Sequence, residues 1–188
     1  MSTYSFYQTT IPQLRGIAKS AVSFLTAAKD EQSKNSSLPS GADVLNAQIG
    51  DMLPLRMQPI LVAKFQLEGI NQHKLSSVSS PSMDPSSFSS FDDVINFFKQ
   101  VIAVYDAVDE KAFSESAEKS LDVSVAGKSL KITSTADFYS SFAVPNGYFH
   151  LNAMYMLLRS KGFNLGKGTY IKPFFSEQAS KDLAPLMG

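Results

Sequence analysis

The sequence predicts an all-α protein: a four-helix bundle with a short β-hairpin inserted before the last long helix. Two observations predict this fold. Four long segments carry apolar residues at spacings of three and four, as amphipathic helices do. Between the third and the fourth, apolar residues instead alternate with polar ones around a glycine turn. A chain of 188 residues has the length of one domain, so we expect residues 1–188 to form a single bundle.

The first two helices are predicted over residues 8–29 and 53–72. In both, apolar side chains recur on one face, and a polar run follows the first. The second helix contains two prolines. Pro54 suits a first helical turn, where the missing N–H has no partner in any case. Pro59 should bend the helix one turn further in.

The third helix is predicted from about residue 91 to residue 108. Ser90, followed three residues later by Asp93, predicts a capping box at its start. The preceding stretch, residues 75–90, is rich in serine and proline and has no periodicity. We expect it to be a flexible surface crossover.

The hairpin and the fourth helix follow. Over residues 121–132, apolar and polar side chains alternate on both sides of Gly127, as in two short strands joined by a turn. The fourth helix is predicted from near Thr135, and Gly162 is a suitable residue to end it. The aromatic residues of the tail beyond Gly162 should pack back on the bundle.

The fourth helix contains an unusual stretch, FAVPNGYFHLNAMYMLLRSKG, at residues 142–162. Pro145 removes a backbone hydrogen bond and predicts a kink, and Gly147 permits close approach of a neighbouring backbone. A lone histidine is ordinarily a core residue bonded to a carbonyl. The proline and the glycine beside it make His150 the candidate functional residue. The other histidine, His73, is interpreted as part of a solvated helix terminus.

Composition excludes several classes of function. Basic and acidic residues both number 17, so the formal charge is zero and no basic stripe suggests a nucleic-acid partner. The chain has no cysteine, which excludes disulfides, thiolate metal sites and a cysteine nucleophile. No stretch approaches the roughly 18 apolar residues of a membrane span, and the N-terminus lacks the pattern of a signal peptide. We therefore expect a cytoplasmic protein with no nucleic-acid and no membrane partner.

Three segments together resemble a known family: YSFYQTTIPQLRGI from Tyr4, DMLPLRMQ from Asp51, and FYSSFAVPNGYFHLNAMYMLLRSKG followed by LGKGTYI. They are similar to the uncharacterised, domain-of-unknown-function branch of the DinB-like (YfiT-like) four-helix-bundle superfamily, with its DMxPL and PNxYFH motifs. The resemblance covers residues 4–171. It implies a bundle often found as a homodimer. In the wider superfamily it implies a divalent metal held by three histidines, in some relatives for thiol-dependent transferase or isomerase activity.

At the metal ligands this sequence departs from the resemblance. The helix-four histidine matches His150, but its partner four residues on is Met154, and the helix-two position falls at or near Phe65. One imidazole with a thioether and a phenyl ring cannot hold a hard or borderline divalent ion. We therefore expect no metal and no cofactor, but an apolar cavity in their place. A metal held by His150 with Asp51 or His73 stays open as an alternative.

The first functional hypothesis is a metal-independent enzyme of isomerase, dehydratase/lyase or cyclase type that acts on a small apolar metabolite. His150 would be its general acid or base, because an imidazole titrates near neutrality. The residues expected to assist it are Asn146 and Tyr148 in catalysis, and Tyr4, Tyr7, Gln58, Phe65 and Met154 in substrate binding. The alternative is a non-catalytic small-ligand-binding protein, or a dimeric structural protein, derived from a lost metalloenzyme site. In that case His150 only satisfies a backbone group.

Overall fold

A computed structural model describes residues 4–186 of the chain and confirms the predicted helical fold with its inserted hairpin. The elements are α1 (Phe6–Lys34), α2 (Gly41–Asn46), α3 (Gln58–Gln72), α4 (Phe91–Asp106), α5 (Glu110–Glu115), β1 (Leu121–Val125), β2 (Lys128–Ile132), α6 (Thr135–Phe138), α7 (Val144–Ser160), α8 (Lys167–Ile171) and α9 (Glu177–Asp182). A π-helical turn, Tyr139–Ala143, joins α6 to α7 in one continuous helical segment. Within residues 4–186, no helix is long and apolar enough to cross a membrane.

Two antiparallel helix pairs form the bundle. In the first pair, α1 and α4, the Lys29 ammonium lies 2.6 Å from the Asp92 carboxylate, and Arg15 Nε lies 2.7 Å from Asp106. The residue numbers rise on one helix as they fall on the other, so the two helices run in opposite directions. The second pair is α3 and α7, which pack along their length. The buried apolar side chains of all four helices form one core.

The connection between α3 and α4 runs along the bundle, because these two helices are parallel. Their C-terminal ends meet: Ser76, just beyond α3, donates its hydroxyl to the Val104 carbonyl in the last turn of α4 at 2.9 Å. The chain must therefore travel back past the 16 residues of α4, about 24 Å. The predicted crossover is the serine-rich stretch, and buried Leu75 and Phe88 anchor it near its two ends.

The two prolines that should bend helices behave differently. Pro59 lies in the first turn of α3, which begins only at Gln58 after a 3-10 turn. No helical hydrogen bond is lost in a first turn, so the predicted bend at Pro59 is wrong. At Pro145 the helix does change, since the π-helical turn precedes it and the Val144 N–H bonds to the carbonyl of Tyr139, five residues back.

Three local predictions are confirmed. Both halves of the capping box between Ser90 and Asp93 are present. The hairpin turns at Ala126 and Gly127, which both have positive φ, as a two-residue type I′ turn requires. The tail packs on α1: its Tyr170 carbonyl accepts a hydrogen bond from the Ser20 hydroxyl at 2.8 Å.

Candidate functional site

The site centres on a chain of hydrogen bonds between α7 and the start of α3. His150 Nδ1 lies 2.7 Å from Gln58 Oε1. The other end of the same amide, Gln58 Nε2, donates to the backbone carbonyl of Leu53 at 2.6 Å. Gln58 is buried, whereas the imidazole is only partly buried. The antiparallel packing of α3 and α7 places these two side chains opposite each other.

This chain of hydrogen bonds defines the tautomer of His150. A carbonyl only accepts hydrogen bonds, so Leu53 requires the Gln58 amide to turn its nitrogen toward it. Gln58 Oε1 then faces the imidazole, and Nδ1 must carry the proton. Burial lowers the pKa of His150 to about 4. At neutral pH the ring is therefore uncharged, and Nε2 keeps its lone pair with no hydrogen-bond partner among residues 4–186.

Exposed apolar side chains surround the histidine. The Phe149 ring is 59% exposed and meets the His150 ring edge-on at a centroid distance of 5.1 Å. Met156 lies seven residues further on the same face of α7 and is 56% exposed. Ile49 and Leu53, both exposed, line one hollow together with Ala153 of that helix. The hollow between Leu53, Gln58 and Ala153 has no room for a water molecule, so the amide is sealed on that side.

The two proposed catalytic assistants have other contacts. Asn146 Nδ2 donates to the backbone carbonyl of Leu61 at 2.8 Å and ties α7 to α3. Tyr148 stacks on Phe174 of the tail, with ring centroids 5.8 Å apart, and burial raises the pKa of its hydroxyl. Because residues two apart on a helix point in different directions, Tyr148 does not face the same side as His150.

The proposed substrate-binding residues also differ in whether they contact His150. Gln58 is the one that contacts His150. Phe65 is buried edge-on against Phe142, at a centroid distance of 5.0 Å and about two helical turns from Gln58. Met154 is fully buried in the core.

Two tyrosines lie at the far end of α1. Tyr7 packs edge-on against Phe113, and Tyr4 is 77% exposed. The adjacent Phe6 packs against Tyr139, which precedes His150 by eleven residues, or about 16 Å of helix. The structure therefore does not bring these tyrosines to the histidine.

The residues considered for a retained metal do not converge. In the described part of the chain, no group of three or more His, Asp or Glu side chains could hold a metal ion. His73 Nε2 instead lies 3.1 Å from the Thr135 hydroxyl and links the end of α3 to the start of α6. Burial, with the nearby charge of Lys119 second, lowers its pKa. His73 is the C-cap of α3 and only partly buried, as the interpretation as a helix terminus requires, and its bond to Thr135 is the feature that the sequence did not predict.

Sequence reasoning missed the apolar surface beside His150. The available signal was Phe149 and Met156, which recur seven residues apart on the face of α7 opposite its buried residues. It also missed the role of the Leu53 carbonyl, because a backbone acceptor leaves no trace in the side-chain pattern.

Comparisons with known proteins agree with this fold. Residues 6–171 match the family described as "Domain of unknown function (DUF1993)". The structure is similar to the crystal structure of a DinB family member protein from Shewanella denitrificans, with a TM-score of 0.70. The two sequences are 21% identical, over 88% of this chain and 90% of that one. No curated protein matches the sequence significantly.

Proposed function

We propose that this chain, which belongs to the DUF1993 family by a match that covers nearly all of it, is a metal-independent small-molecule enzyme in which His150 exchanges a proton with a bound substrate. One observation carries this proposal. The Gln58 amide, itself held by the Leu53 carbonyl, binds the Nδ1–H of His150 and leaves an unprotonated Nε2. An imidazole fixed in one tautomer by a third group is the usual arrangement of a general base.

The chemistry follows from the neutral ring. Nε2 accepts a proton from a carbon or oxygen atom of the substrate, and the bond's electron pair stays with the substrate as an enolate or oxyanion. The imidazolium keeps its Nδ1–H on Gln58. Return of the proton to another atom isomerises the substrate, and loss of a leaving group from the adjacent carbon gives elimination. Because burial disfavours the cation, the anion formed beside it is needed to stabilise it.

The surroundings favour an uncharged, apolar substrate. Phe149 offers apolar surface against the ring, and the exposed Leu53 and Ile49 line a hollow that includes its partner Gln58. Between Val144 and Leu158, α7 carries no Lys, Arg, Asp or Glu that could pair with a charged group; the charged residue of the turn before Gln58 is Arg56. Small ketones and aldehydes with an acidic C–H bond meet these requirements.

The test is hydrogen–deuterium exchange at carbon. Cyclohexanone, 2-pentanone and phenylacetaldehyde are incubated with the protein in D₂O at pH 7, and loss of the α-proton signal is followed by NMR. We expect exchange above the buffer rate with at least one of them, and its loss in His150→Ala. The matched control His73→Gln, at the other histidine, should keep the wild-type rate. Equal exchange rates for the wild type and His150→Ala would refute the role of His150 as the general base.

A second candidate is non-catalytic ligand binding or dimerisation through the surface around His150. Two observations favour it. A base with a pKa of about 4 is far from the operating pH that suits proton transfer, and the side chains expected to line a cavity, Phe65 and Met154, are packed in the core. The same experiment separates the candidates. Ketone binding detected by shifts of the His150 ring signals, without any deuterium uptake, would support this second function and overturn the first.

A further inference from the structure

A cavity unrelated to His150 lies between α1 and the helical segment that contains the π-helical turn. Its volume is about 390 Å³, within the range of small-molecule sites. The lining residues are Phe6, Thr9, Thr10 and Gln13 from α1, and Ala136, Ser140 and Val144 from the facing segment. The first four follow the spacing of one helix face and the last three recur every four residues. Two rigid helical faces therefore form the walls.

The cavity offers more hydrogen-bond acceptors than donors. The Thr9 hydroxyl donates to the Phe6 carbonyl at 3.1 Å, and the Gln13 amide nitrogen donates to the Thr9 carbonyl at 2.8 Å. The Ser140 hydroxyl donates to the Asp137 carbonyl at 3.2 Å. These three exposed side chains are left with lone pairs, and Gln13 also keeps its second amide N–H. Thr10, nearly buried, is the lining hydroxyl that bonds to no other described residue.

The π-helical turn adds a backbone acceptor. In a regular helix the Ser140 carbonyl would bind the N–H of Val144, but that N–H bonds to Tyr139 instead. In a π-helix it would bind the N–H of the next residue, which is Pro145 and has none. The Ser140 carbonyl is therefore left without a helical donor. Turns of this type occur frequently at functional sites.

We propose that this cavity binds an uncharged small molecule that donates hydrogen bonds to the Ser140 carbonyl and exchanges one with the Thr10 hydroxyl. Its apolar part lies against Phe6 and Val144. The ligand is uncharged because none of the lining residues is charged, so an ion bound there would give up part of its hydration without gaining a partner. It must donate because the cavity presents free acceptors. Primary amides and alcohols with a compact apolar group have this chemistry.

Four compounds of similar shape test the proposal on the full chain by two-dimensional NMR. Benzamide is neutral and donates two hydrogen bonds; N,N-dimethylbenzamide is neutral and donates none; benzoate and benzamidinium carry opposite charges. We expect benzamide to shift signals of Thr10 and Ser140, and to bind at least about 5-fold more tightly than the dimethyl compound, the loss of one or more net hydrogen bonds. Benzoate or benzamidinium binding as tightly as benzamide would overturn the proposal.

Two variants place the ligand within the cavity. Thr10→Val keeps the shape of the side chain and removes the hydroxyl, so benzamide should bind about 5-fold more weakly. Gln13→Glu brings a carboxylate to the rim and should raise the affinity for benzamidinium without raising that for benzamide. Val78→Thr, at an exposed residue outside the lining, is the control. Unchanged benzamide affinity in Thr10→Val, or shifts confined to residues around His150, would refute the assignment.

Discussion

At the scale of single residues, the informative feature of this protein is that an amide rather than a carboxylate orients His150. Both groups can accept the Nδ1–H and define the tautomer. A carboxylate would also stabilise the imidazolium and raise its pKa, whereas the neutral Gln58 leaves desolvation unopposed. This explains why the pKa of His150 is as low as about 4. The charge of His150 therefore depends on the side chain at position 58, which can be replaced.

Gln58→Glu should therefore raise the pKa of His150, and an NMR titration of the ring protons measures it. In the wild type the folded pKa, about 4, lies below the unfolded value of about 6.5. Between these two pH values the unfolded chain binds more protons than the folded chain. The free energy of unfolding therefore decreases as the pH falls from about 6.5 to about 4. With Glu at position 58, the difference in unfolding free energy between pH 7 and pH 5 should be smaller. Urea unfolding at both pH values measures it. Gln58→Leu is the control, with no charge to raise the pKa. A wild-type His150 that titrates near 6.5 would contradict the argument.

At the scale of elements, a buried polar cluster fixes the pairing of α3 with its neighbours. The Tyr105 hydroxyl donates to Gln66 Oε1 at 2.6 Å, and the Tyr139 hydroxyl donates to the Gln66 backbone carbonyl at 2.7 Å. All three residues are fully buried. The Gln66 amide nitrogen lies against the backbone of Gly147, where an added Cβ would come within 2.1 Å of it. The glycine beside His150 therefore serves helix packing.

Gly147→Ala should destabilise the fold by about 1–3 kcal/mol, because the new methyl group displaces Gln66 from its bond with Tyr105. Gly166→Ala is the matched control, since a Cβ there meets no atom within 4 Å. Thermal or urea unfolding of both variants measures the difference. In a Gln66→Ala background the cost of Gly147→Ala should fall, since the clashing amide is gone. A cost at Gly147 no greater than at Gly166 would show that α7 can move away from Gln66 freely.

The elements were easier to predict than the site because the sequence patterns that define them are local. Helix periodicity, the Ser90 cap and the hairpin turn are set by residues close in sequence, so they could be recognised from the sequence. Which residue of α3 faces His150 depends on how far two helices slide along each other. The sequence predicts Gln58 as a candidate residue, but it also predicts Phe65 opposite the histidine, and Phe65 lies against Phe142 instead. A shift of about two turns leaves the periodicity unchanged.

At the scale of the whole molecule, the exposed apolar residues are unevenly distributed. Among residues 4–186, the large exposed hydrophobic side chains are Tyr4, Ile49, Leu53, Val78, Leu130, Phe149 and Met156. Four of them lie either just before the turn into α3 or on the exposed face of α7: Ile49, Leu53, Phe149 and Met156. Contiguous apolar patches of a few hundred Å² usually mark sites of association. We propose that this face pairs with its own copy around a two-fold axis.

A two-fold pairing of α7 with its copy suits the sequence of that face. Phe149 and Met156, seven residues apart, would each meet the other's counterpart when two such helices cross in antiparallel fashion. The small Ala153 between them permits close approach. No Lys, Arg, Asp or Glu from Val144 to Leu158 would be brought against its own copy, and His150 is neutral at pH 7 because its pKa is lowered. The interface would also cover the imidazole and strengthen its desolvation, so this pairing belongs to the second candidate function and not to the general base.

Met156→Glu should therefore convert a dimer into a monomer, because two carboxylates would be buried near the two-fold axis without partners. Sedimentation equilibrium over a range of protein concentrations measures the effect, and we expect at least a 100-fold weaker association. Val78→Glu introduces the same charge at another exposed apolar residue and should leave the dimer intact. A wild-type chain that stays monomeric at about 100 μM, or equal weakening by the two substitutions, would rule out this face.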